Sequence, residues 1–316
     1  MIHGARVTVT IPAFNEERLI GRTLSRIPDE VDHIIVVDDR SEDATADVVQ
    51  SVDDPRVELI RREENGGVGA AIVTGYERFL EGTDDVCVVM AGDDQMDPKD
   101  LPDLVRPVAL GHAEYAKGNR LMGSDVRKVM PKDRFLGNVI FTMLTKWASG
   151  YWHVVDSQCG YTAVSRGALQ RIRLDALYPR YGFPNDMLIK LNVATARVAD
   201  VPVAAVYGEE VSGIRPVHAI PRISWLLVRG FVWRLWNRYV LRDFHPLVLL
   251  YIFGGFFFTL GMGMGLWIAS LRLFTDRVVT TPTLILVSLF LLVGMQSILF
   301  AMTFDMMHNG DLEVRS

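Results

Sequence analysis

The stretch Val86-Cys87-Val88-Val89-Met90-Ala91-Gly92-Asp93-Asp94-Gln95 decides the fold that the rest of the chain predicts. Its first five residues are all apolar, and charged residues precede them. Parallel strands covered by helices lose the alternation of polar and apolar residues, so this segment is predicted to be a strand buried on both faces. Ligands of open α/β sheets bind at the carboxyl ends of the strands. The residues after Met90 are therefore predicted to lie at a binding edge.

Two oxygen-bearing side chains, Asp93 and Gln95, stand two positions apart at this edge. In an extended loop both can point the same way, and hard divalent cations prefer oxygen ligands. The pair is predicted to share one cation with a phosphate, and that cation would offset the charge of a leaving diphosphate. Asp97 is followed by Pro98, a pattern typical of a helix N-cap with proline at the first helical position. We therefore interpret Asp97 as a cap.

The preceding residues alternate between strand and helix patterns. Strands are predicted at 7–12, 34–37 and 57–60. Helices are predicted at about 18–27 and 44–52, and a third follows the segment 65–71 and runs to about Leu80. This alternation predicts a doubly wound, Rossmann-like α/β sheet. The second strand ends at Asp38 and Asp39, so two strands are expected to bring carboxylates to the same edge.

A glycine-rich loop, Asn65-Gly66-Gly67-Val68-Gly69, follows the third strand. A dinucleotide-binding loop would follow the first strand with a different glycine spacing, and a P-loop would end in Lys-Ser or Lys-Thr. The dehydrogenase interpretation is therefore rejected, and ATP hydrolysis has no support. We interpret Gly66 and Gly69 as a tight turn and a helix packing contact, with a phosphate cradle as the alternative.

The composition indicates a membrane protein. Hydrophobic residues make up 49% of the 316 residues, and they concentrate in two runs, 246–271 and 283–304, each long enough to cross a bilayer. The net charge of −5 argues against nucleic-acid binding, because phosphate backbones attract positive surfaces. The two cysteines provide no disulfide framework, which fits a reducing cytosol.

Residues 214–245 combine arginines with aromatic side chains just before the first run. The spacing of Arg222, Arg229, Arg234, Arg238 and Arg242 keeps most of these charges near one face of a helix. This pattern predicts an amphipathic helix in the headgroup region, with the arginine side chains reaching to the interface. A basic helix for nucleic acid is the competing interpretation, and the adjacent membrane span disfavours it.

The charges around the two runs predict their orientation. Five arginines precede the first run, whereas the loop 272–282 holds two, so residues 1–213 and the tail 305–316 are predicted to be cytoplasmic. Glycines at 254, 255, 261, 263 and 265 would let the first span pack closely against the second span or against a neighbouring subunit of a homo-oligomer. Ser288 and Gln296 are the predicted polar contacts of the second span.

Four motifs together resemble the family 2 glycosyltransferases of the GT-A type. They are Ile11-Pro12-Ala13-Phe14-Asn15-Glu16-Glu17, Val36-Val37-Asp38-Asp39-Arg40-Ser41, Asn65-Gly66-Gly67-Val68-Gly69 and the Asp93 loop. Within that family the chain is most similar, over about residues 6–215, to polyprenyl-phosphate glycosyltransferases of the dolichyl-phosphate mannose synthase group. The resemblance implies a mixed GT-A sheet, a UDP- or GDP-sugar donor, a polyprenyl phosphate acceptor and Mg²⁺ or Mn²⁺.

The resemblance also implies roles for single residues. Pro12, Phe14 and Glu16 or Glu17 would line the nucleotide, Asp39 would accept a hydrogen bond from the base, and Asp38 and Asp94 would belong to the same nucleotide-binding set. Asp93 and Gln95 would hold the metal. The acceptor phosphate would be bound by Arg120, Arg134 and Asn138, with both arginines also counted among the catalytic residues. Asp186 would be the candidate catalytic base, although an ionised phosphate acceptor needs little proton abstraction.

One position departs from the family pattern. The family has Asp-x-Asp-x-Gln, and here the first aspartate is replaced by Ala91. Either Asp94 takes over, or the ribose and the diphosphate are contacted differently. Ala91 is the best support for one alternative, a non-catalytic membrane scaffold of the same fold. A second alternative is a family 2 transferase acting on a hydroxyl acceptor such as diacylglycerol or a growing polysaccharide.

Overall fold

The protein is described by a computed structural model that covers residues 1–122, 132–204, 216–242, 244–275 and 280–314, with the side chains of 132–136 and 216–219 outside this description. The chain forms two compact units. The first comprises Met1–Arg234 together with Asp311–Ser316, and the second comprises Leu235–Gly310.

The first unit contains an eight-stranded sheet. Its strands are β1 (Val7–Ala13), β2 (His33–Asp38), β3 (Val57–Arg61), β4 (Val86–Val89), β5 (Tyr115–Asn119), β6 (Thr162–Ser165), β7 (Val198–Pro202) and β8 (Glu313–Val314). The order is β3-β2-β1-β4-β6-β5-β7-β8, and β6 runs antiparallel to both of its neighbours while the other pairs are parallel. The predicted doubly wound sheet is therefore present and is mixed.

Helices pack on this sheet and continue beyond it. Those of the described residues are α1 (Ile20–Ser25), α2 (Thr45–Gln50), α3 (Val68–Glu81), α4 (Leu101–Ala109), α5 (Lys132–Ser149), α6 (Arg166–Arg171), α7 (Phe183–Val193), α8 (Pro216–Trp236), α9 (Leu247–Phe274) and α10 (Thr281–His308). A π-helical segment, Asn237–Arg242, follows α8. Each of the first three strands and helices lies where the sequence predicted it.

The buried strand β4 lies between two hydrophobic clusters, one on each face of the sheet. All four of its residues are buried, with Val86 and Val88 in one cluster and Cys87 and Val89 in the other. The same two-sided burial explains why the strand lacks polar alternation. The binding edge is thus fixed by a strand that is inaccessible to water over its whole length.

The segment 305–316, predicted to be a tail, is structured in its described part. Residues up to His308 belong to α10, and Glu313 and Val314 form the edge strand β8, which pairs in parallel with β7. Leu312 is buried in one of the hydrophobic clusters. A strand of two residues has no recognisable sequence period, which is why the prediction missed it.

The second unit contains the two long apolar helices α9 and α10, both candidate membrane spans by length and composition. They pack through glycines: a Cβ on Gly254 would come within 2.8 Å of Ile298, and a Cβ on Gly294 would come within 2.5 Å of the backbone of Phe258. The predicted close packing of the two spans is confirmed at Gly254 and also at Gly261, which meets Leu291. The Ser288 hydroxyl is exposed and donates to the Leu284 carbonyl oxygen of its own helix, so a polar contact of Ser288 with another helix stays a prediction.

Candidate active site

A cavity of about 320 Å³ opens at the carboxyl ends of β1, β2 and β4. Its lining gathers five residues that the sequence assigned to the donor site: Pro12, Phe14, Glu16, Asp39 and Asp93. Segments far apart in the chain therefore meet at the predicted edge. Asn65, Gly67 and Val68 of the glycine-rich loop contribute another wall.

Three residues that follow the central strands adopt left-handed backbone conformations. Asn15 follows β1 with φ 58°, Arg40 follows β2 with φ 63°, and Asp94 follows β4 with φ 58°. Such conformations cost free energy in residues other than glycine, and they cluster at functional sites. Their repetition along one edge indicates that these loops turn back sharply to form the cavity.

Asp39 organises the glycine-rich loop. Its Oδ1 accepts from Arg62 at 2.7 Å and from the Gly66 N–H at 3.0 Å, and its Oδ2 accepts from the Gly67 N–H at 2.7 Å. A carboxylate can accept about four hydrogen bonds, so Asp39 retains acceptor capacity toward the cavity. The loop N–H groups bind a carboxylate within the protein, in agreement with a turn and not with a phosphate cradle.

Asp38 has a different environment. It is fully buried, its Oδ1 accepts from the Ser41 N–H at 2.9 Å, and its Oδ2 lies 3.4 Å from Arg61 Nε. It does not line the cavity. These contacts stabilise the turn after β2, and a direct nucleotide contact by Asp38 stays a prediction.

The loop after β4 places its two adjacent aspartates, Asp93 and Asp94, in different environments. Asp93 lines the cavity and accepts from the Gln95 N–H at 3.1 Å. Asp94 is buried instead against two arginines, Arg22 at 2.6 Å and Arg26 at 2.5 Å. With both of its oxygens neutralised, Asp94 is poorly suited to replace the carboxylate missing at Ala91. Its nucleotide contact stays a prediction.

The donors near Asp93 fit a cation that takes most of its ligands from a substrate. Within the described residues, no group of three or more His, Cys, Asp or Glu side chains could hold a metal by itself. Mg²⁺ is commonly held by one or two carboxylates together with substrate phosphates and water. Asp93 lies at the cavity where such a cation would bind, whereas Gln95 does not line the cavity and stays a predicted ligand.

Arg180 and Tyr181 also line the cavity, although neither was predicted to be a site residue. They lie between β6 and α7, in a loop that packs tightly on the start of α3: a Cβ on Gly69 would overlap the Tyr178 carbonyl oxygen. Arg180 supplies a positive charge on the wall that Asp93 shares. The family resemblance assigned only Asp186 in this region, so no signal in the sequence identified the arginine.

A second polar cluster surrounds Asp156, which is fully buried. Arg120 donates to it from Nε at 2.8 Å and from Nη2 at 3.2 Å, and Asn138 donates from Nδ2 at 3.2 Å. Burial by itself would raise the pKa of Asp156, but the hydrogen bonds and the charge of Arg120 outweigh it and lower the pKa. The Asp156 carboxylate therefore brings together Arg120 and Asn138, two of the residues predicted to bind the acceptor phosphate. The side chain of the third, Arg134, lies outside the described residues.

Buried polar groups continue beneath this cluster. Asn119 donates to Asp200 at 2.5 Å, and Lys117, fully buried in β5, donates to the Cys159 carbonyl oxygen. Burial raises the pKa of Asp200 to about 6 and lowers the pKa of Lys117. Strand β5 thus carries a polar layer that supports Arg120 from below.

Asp186 lies in the first turn of α7. Its Oδ2 accepts from the Tyr178 N–H at 2.9 Å, and Lys190 lies 4.0 Å from its Oδ1. Burial raises the pKa of Asp186, and the charges of Lys190 and Arg229 oppose this only in part. A raised pKa suits a general base, yet the carboxylate also anchors the loop that carries Arg180 and Tyr181. The catalytic role stays a prediction.

His153 packs as a structural side chain between β7 and β8. Its Nε2 lies 2.8 Å from the Val198 carbonyl oxygen, and its Nδ1 lies 3.6 Å from Glu313. Burial lowers the pKa of this histidine. The ring therefore contributes to the sheet edge and lies apart from the residues that line the donor cavity.

The sequence over residues 8–173 matches the model of glycosyl transferase family 2. The chain belongs to this family. It is 29% identical over 218 residues to the UDP-N-acetylglucosamine–dolichyl-phosphate N-acetylglucosaminyltransferase of Methanococcus voltae, covering 64% of this chain and 86% of that one. It is 31% identical over 209 residues to the undecaprenyl-phosphate mannosyltransferase of Micrococcus luteus, covering 65% and 85%.

The fold of this family 2 transferase matches solved structures. Glucosyl-3-phosphoglycerate synthase from Mycobacterium tuberculosis, in complex with Mn²⁺, UDP and glucosyl-3-phosphoglycerate, superimposes with a TM-score of 0.54 at 22% identity and covers 73% of this chain and 80% of that one. The predicted GT-A type sheet, followed by two apolar helices, is therefore confirmed.

Proposed function

We propose that this chain is an inverting glycosyltransferase that moves a hexose from UDP or GDP to a polyprenyl phosphate. An oxygen of the acceptor phosphate attacks the anomeric carbon, the bond from that carbon to the diphosphate breaks on the opposite face, and the nucleoside diphosphate leaves. The relatives that bear polyprenyl-phosphate names support the acceptor class.

The observation that carries the donor half is the cavity in which Asp39 and Asp93 meet. Asp39 would accept from the base, and Pro12, Phe14 and Glu16 would line the nucleotide. Asp93 and Gln95 would hold Mg²⁺ or Mn²⁺, which when bound would offset the charge of the leaving diphosphate. Arg180 on the same cavity wall would add a fixed positive charge to this effect.

The acceptor half is proposed around Arg120, Asn138 and Arg134. The bidentate bond to Asp156 holds the Arg120 guanidinium in one orientation while about a quarter of its side chain stays accessible. An acceptor phosphate is already ionised near neutral pH, so orientation of this anion contributes more than proton removal. Asp186 would then contribute to the position of the substrates and to the local charge more than to proton removal.

The domain organisation is proposed as a cytosolic catalytic domain at 1–213, an interfacial segment at 214–245 and two transmembrane helices near 246–271 and 283–304. The chain leaves the first unit after Arg234 and returns to it at Asp311. This connectivity supports a helical hairpin with both ends on the side of the catalytic domain, and the excess of arginines before α9 supports the cytosolic side.

The decisive experiment incubates the purified full chain with polyprenyl phosphate, Mg²⁺ or Mn²⁺ and a panel of UDP- and GDP-sugars. A glycosyl phospholipid is expected, and Asp93→Asn should abolish it. Arg134→Ala should weaken use of the lipid more than binding of the nucleotide. Transfer to diacylglycerol or a polysaccharide, with Asp186→Asn inactive and Arg134→Ala active, would establish the hydroxyl acceptor instead. Isothermal titration without metal-dependent binding of any nucleoside diphosphate would indicate a scaffold.

A further inference from the structure

Two arginines, one in α1 and one that caps its carboxyl end, bind the loop that follows β4. Arg22 Nε lies 2.6 Å from one oxygen of Asp94, and Arg26 Nη1 lies 2.5 Å from the other. Arg26 also reaches Asp97, with its Nη2 at 3.3 Å from the carboxylate. These four side chains are called the arginine clamp below. Its two carboxylates lie on both sides of Gln95 in the chain.

Helix α1 also fixes the loop just before Asp93. The hydroxyl of Thr23, which is fully buried, donates to the Gly92 carbonyl oxygen at 3.1 Å. A Cβ on Gly92 would come within 3.2 Å of Ile20 Cδ1, so the loop backbone lies directly against the helix. Asp93, the carboxylate of this loop that lines the donor cavity, therefore stands between two residues that are both anchored to α1.

Asp94 has a backbone conformation that the clamp supports. Its φ of 58° lies in the left-handed region, which costs free energy in residues other than glycine. Its side chain is only 6% exposed, so the carboxylate also loses most of its hydration. Charge-assisted bonds from two guanidinium groups offset both costs. In this turn the Asp93 side chain reaches the cavity, whereas Asp94 is directed to the arginines.

We propose that Asp94 is a positioning residue for the divalent cation, and that the arginine clamp holds Asp93 in the orientation that binds the metal and the diphosphate. The inference deepens the proposed function and rests on it, because it takes the cation to bind at Asp93. Ala91 leaves this loop with one carboxylate at the cavity. A site with few protein ligands depends strongly on their fixed geometry, because a mobile carboxylate loses conformational entropy when it coordinates a metal.

The test measures binding of UDP and of GDP to the full chain by isothermal titration, with saturating Mn²⁺ and in EDTA. Asp94→Asn removes the charge but keeps a residue type that tolerates the left-handed region. With Mn²⁺ the Kd of the variant for the better-bound nucleotide should rise about tenfold or more, as is usual when a partner that orients a metal ligand is lost. In EDTA the Kd should stay within twofold of the unmodified protein, because Asp94 does not line the cavity.

A second variant, Arg22→Gln, separates positioning from a direct effect of charge. The Arg22 side chain is 62% exposed, so its replacement is compatible with the fold. If the clamp positions Asp93, this variant should also weaken Mn²⁺-dependent binding, though less than Asp94→Asn. If only the local charge mattered, removal of a neighbouring positive charge would strengthen binding of the cation. Tighter Mn²⁺-dependent binding by Arg22→Gln would therefore overturn the positioning role.

Asp54→Asn is the matched control. Asp54 also accepts bonds from an arginine, with Arg56 Nε at 3.0 Å and Nη2 at 2.7 Å, but it precedes β3 and does not line the donor cavity. This control should change neither Kd. An unchanged Kd of Asp94→Asn with Mn²⁺ would overturn the inference. Equal weakening with Mn²⁺ and in EDTA, together with a lower melting temperature, would also overturn it and would assign Asp94 a structural role.

Turnover with polyprenyl phosphate is measured on the same preparations, so the two proposals can fail separately. Metal-dependent nucleotide binding that Asp94→Asn weakens, without any glycosyl lipid, would contradict the proposed function alone. Formation of glycosyl lipid by the unmodified protein, with normal Mn²⁺-dependent binding in Asp94→Asn, would contradict the role of the arginine clamp alone.

Discussion

At the residue scale, the proposed acceptor site depends on the carboxylate of Asp156, which is not itself expected to contact the substrate. Asp156 accepts from both Arg120 and Asn138, and it is fully buried. A guanidinium held by two parallel hydrogen bonds has few alternative orientations, so the carboxylate determines where the positive charge lies. Asp156 is therefore a positioning residue for the proposed acceptor site.

Replacement Asp156→Asn should raise the KM for polyprenyl phosphate at least tenfold and leave the Kd of the nucleoside diphosphate within twofold. The reason is that the amide cannot accept both guanidinium bonds, and charged hydrogen bonds contribute about 1.5–3 kcal/mol. Steady-state kinetics in each substrate measure the split. Asp84→Asn is the matched control, since Asp84 is also buried beside an arginine, Arg6 at 3.2 Å, but lies at the opposite ends of the strands. It should lower stability without changing the KM.

The raised pKa of Asp200 predicts a pH-dependent stability. Burial raises this pKa to about 6, above the unfolded value of about 3.9, so the folded state binds the proton more tightly. The associated stabilisation is present below about pH 4 and is lost as the pH rises through about 6. Asp200→Asn has no titrating group at this position, so the variant should not show that loss. The difference in the free energy of unfolding between variant and wild type should therefore change by at most about 3 kcal/mol across this window.

The measurement for Asp200 is chemical denaturation of both proteins at several pH values between 4 and 7. The variant should gain on wild type as the pH rises. A constant difference across the window would show that Asp200 does not titrate there.

At the element scale, helix α3 approaches β1 through Gly75. A Cβ at this position would overlap Thr10 Cγ2, so no side chain fits without displacing the helix or the strand. The first turn of α3 carries the glycine-rich loop against Asp39. The depth at which α3 packs therefore determines the shape of the donor cavity.

Gly75→Ala should lower the free energy of unfolding of the first unit by about 1–3 kcal/mol, the usual cost of overpacking. Gly137→Ala is its control, because Gly137 is also helical and a Cβ added there would have no neighbour within 4 Å. That control should be neutral or stabilise by up to about 1 kcal/mol through helix propensity. Thermal or denaturant unfolding compares the two, and equal effects would contradict the packing argument.

Sequence reasoning located the first four strands because each is a short apolar run bounded by turn residues. It could not fix the direction of each arginine of α8. The predicted headgroup orientation is wrong for Arg234, which is fully buried and donates to the carbonyl oxygens of Ala148 and Trp147. These carbonyls belong to the last turn of α5, where intrahelical donors run out, and only the tertiary fold brings them to Arg234.

The candidate site was predicted with the same limits. The donor residues follow strands, so their meeting at one edge could be derived from the topology. The pairing of Asp94 with Arg22 and Arg26 could not be derived in this way, because it depends on how α1 packs beside the loop after β4. Likewise, no helix was predicted at 132–149, and no sequence pattern indicated that the polar side of α5 is the buried one.

At the scale of the whole molecule, the chain leaves the sheet unit, forms the apolar hairpin and returns to add the last strand. Val314 of β8 pairs with Ala199 of β7, and Leu312 just before it is 8% exposed. His153 and Glu313 add a contact on the same edge. The sheet is therefore completed by residues that follow both candidate spans.

Leu312→Ala should destabilise the first unit by about 2–4 kcal/mol, as expected for truncation of a buried leucine. Leu110→Ala, at an exposed leucine, should stay within about 0.5 kcal/mol. Unfolding in detergent micelles, followed by the intrinsic fluorescence of the sheet unit, compares the two. A stable Leu312→Ala protein would show that β8 is dispensable for this unit.

The position of β8 also sets an order of events during synthesis. Glu313 and Val314 emerge from the ribosome after α9 and α10, so the edge of β7 that pairs with β8 must remain open until both apolar helices have been translated. Unpaired edges favour association with other chains. If α9 and α10 are membrane spans, a delay in their synthesis or insertion would therefore prolong the interval in which the nascent protein can aggregate.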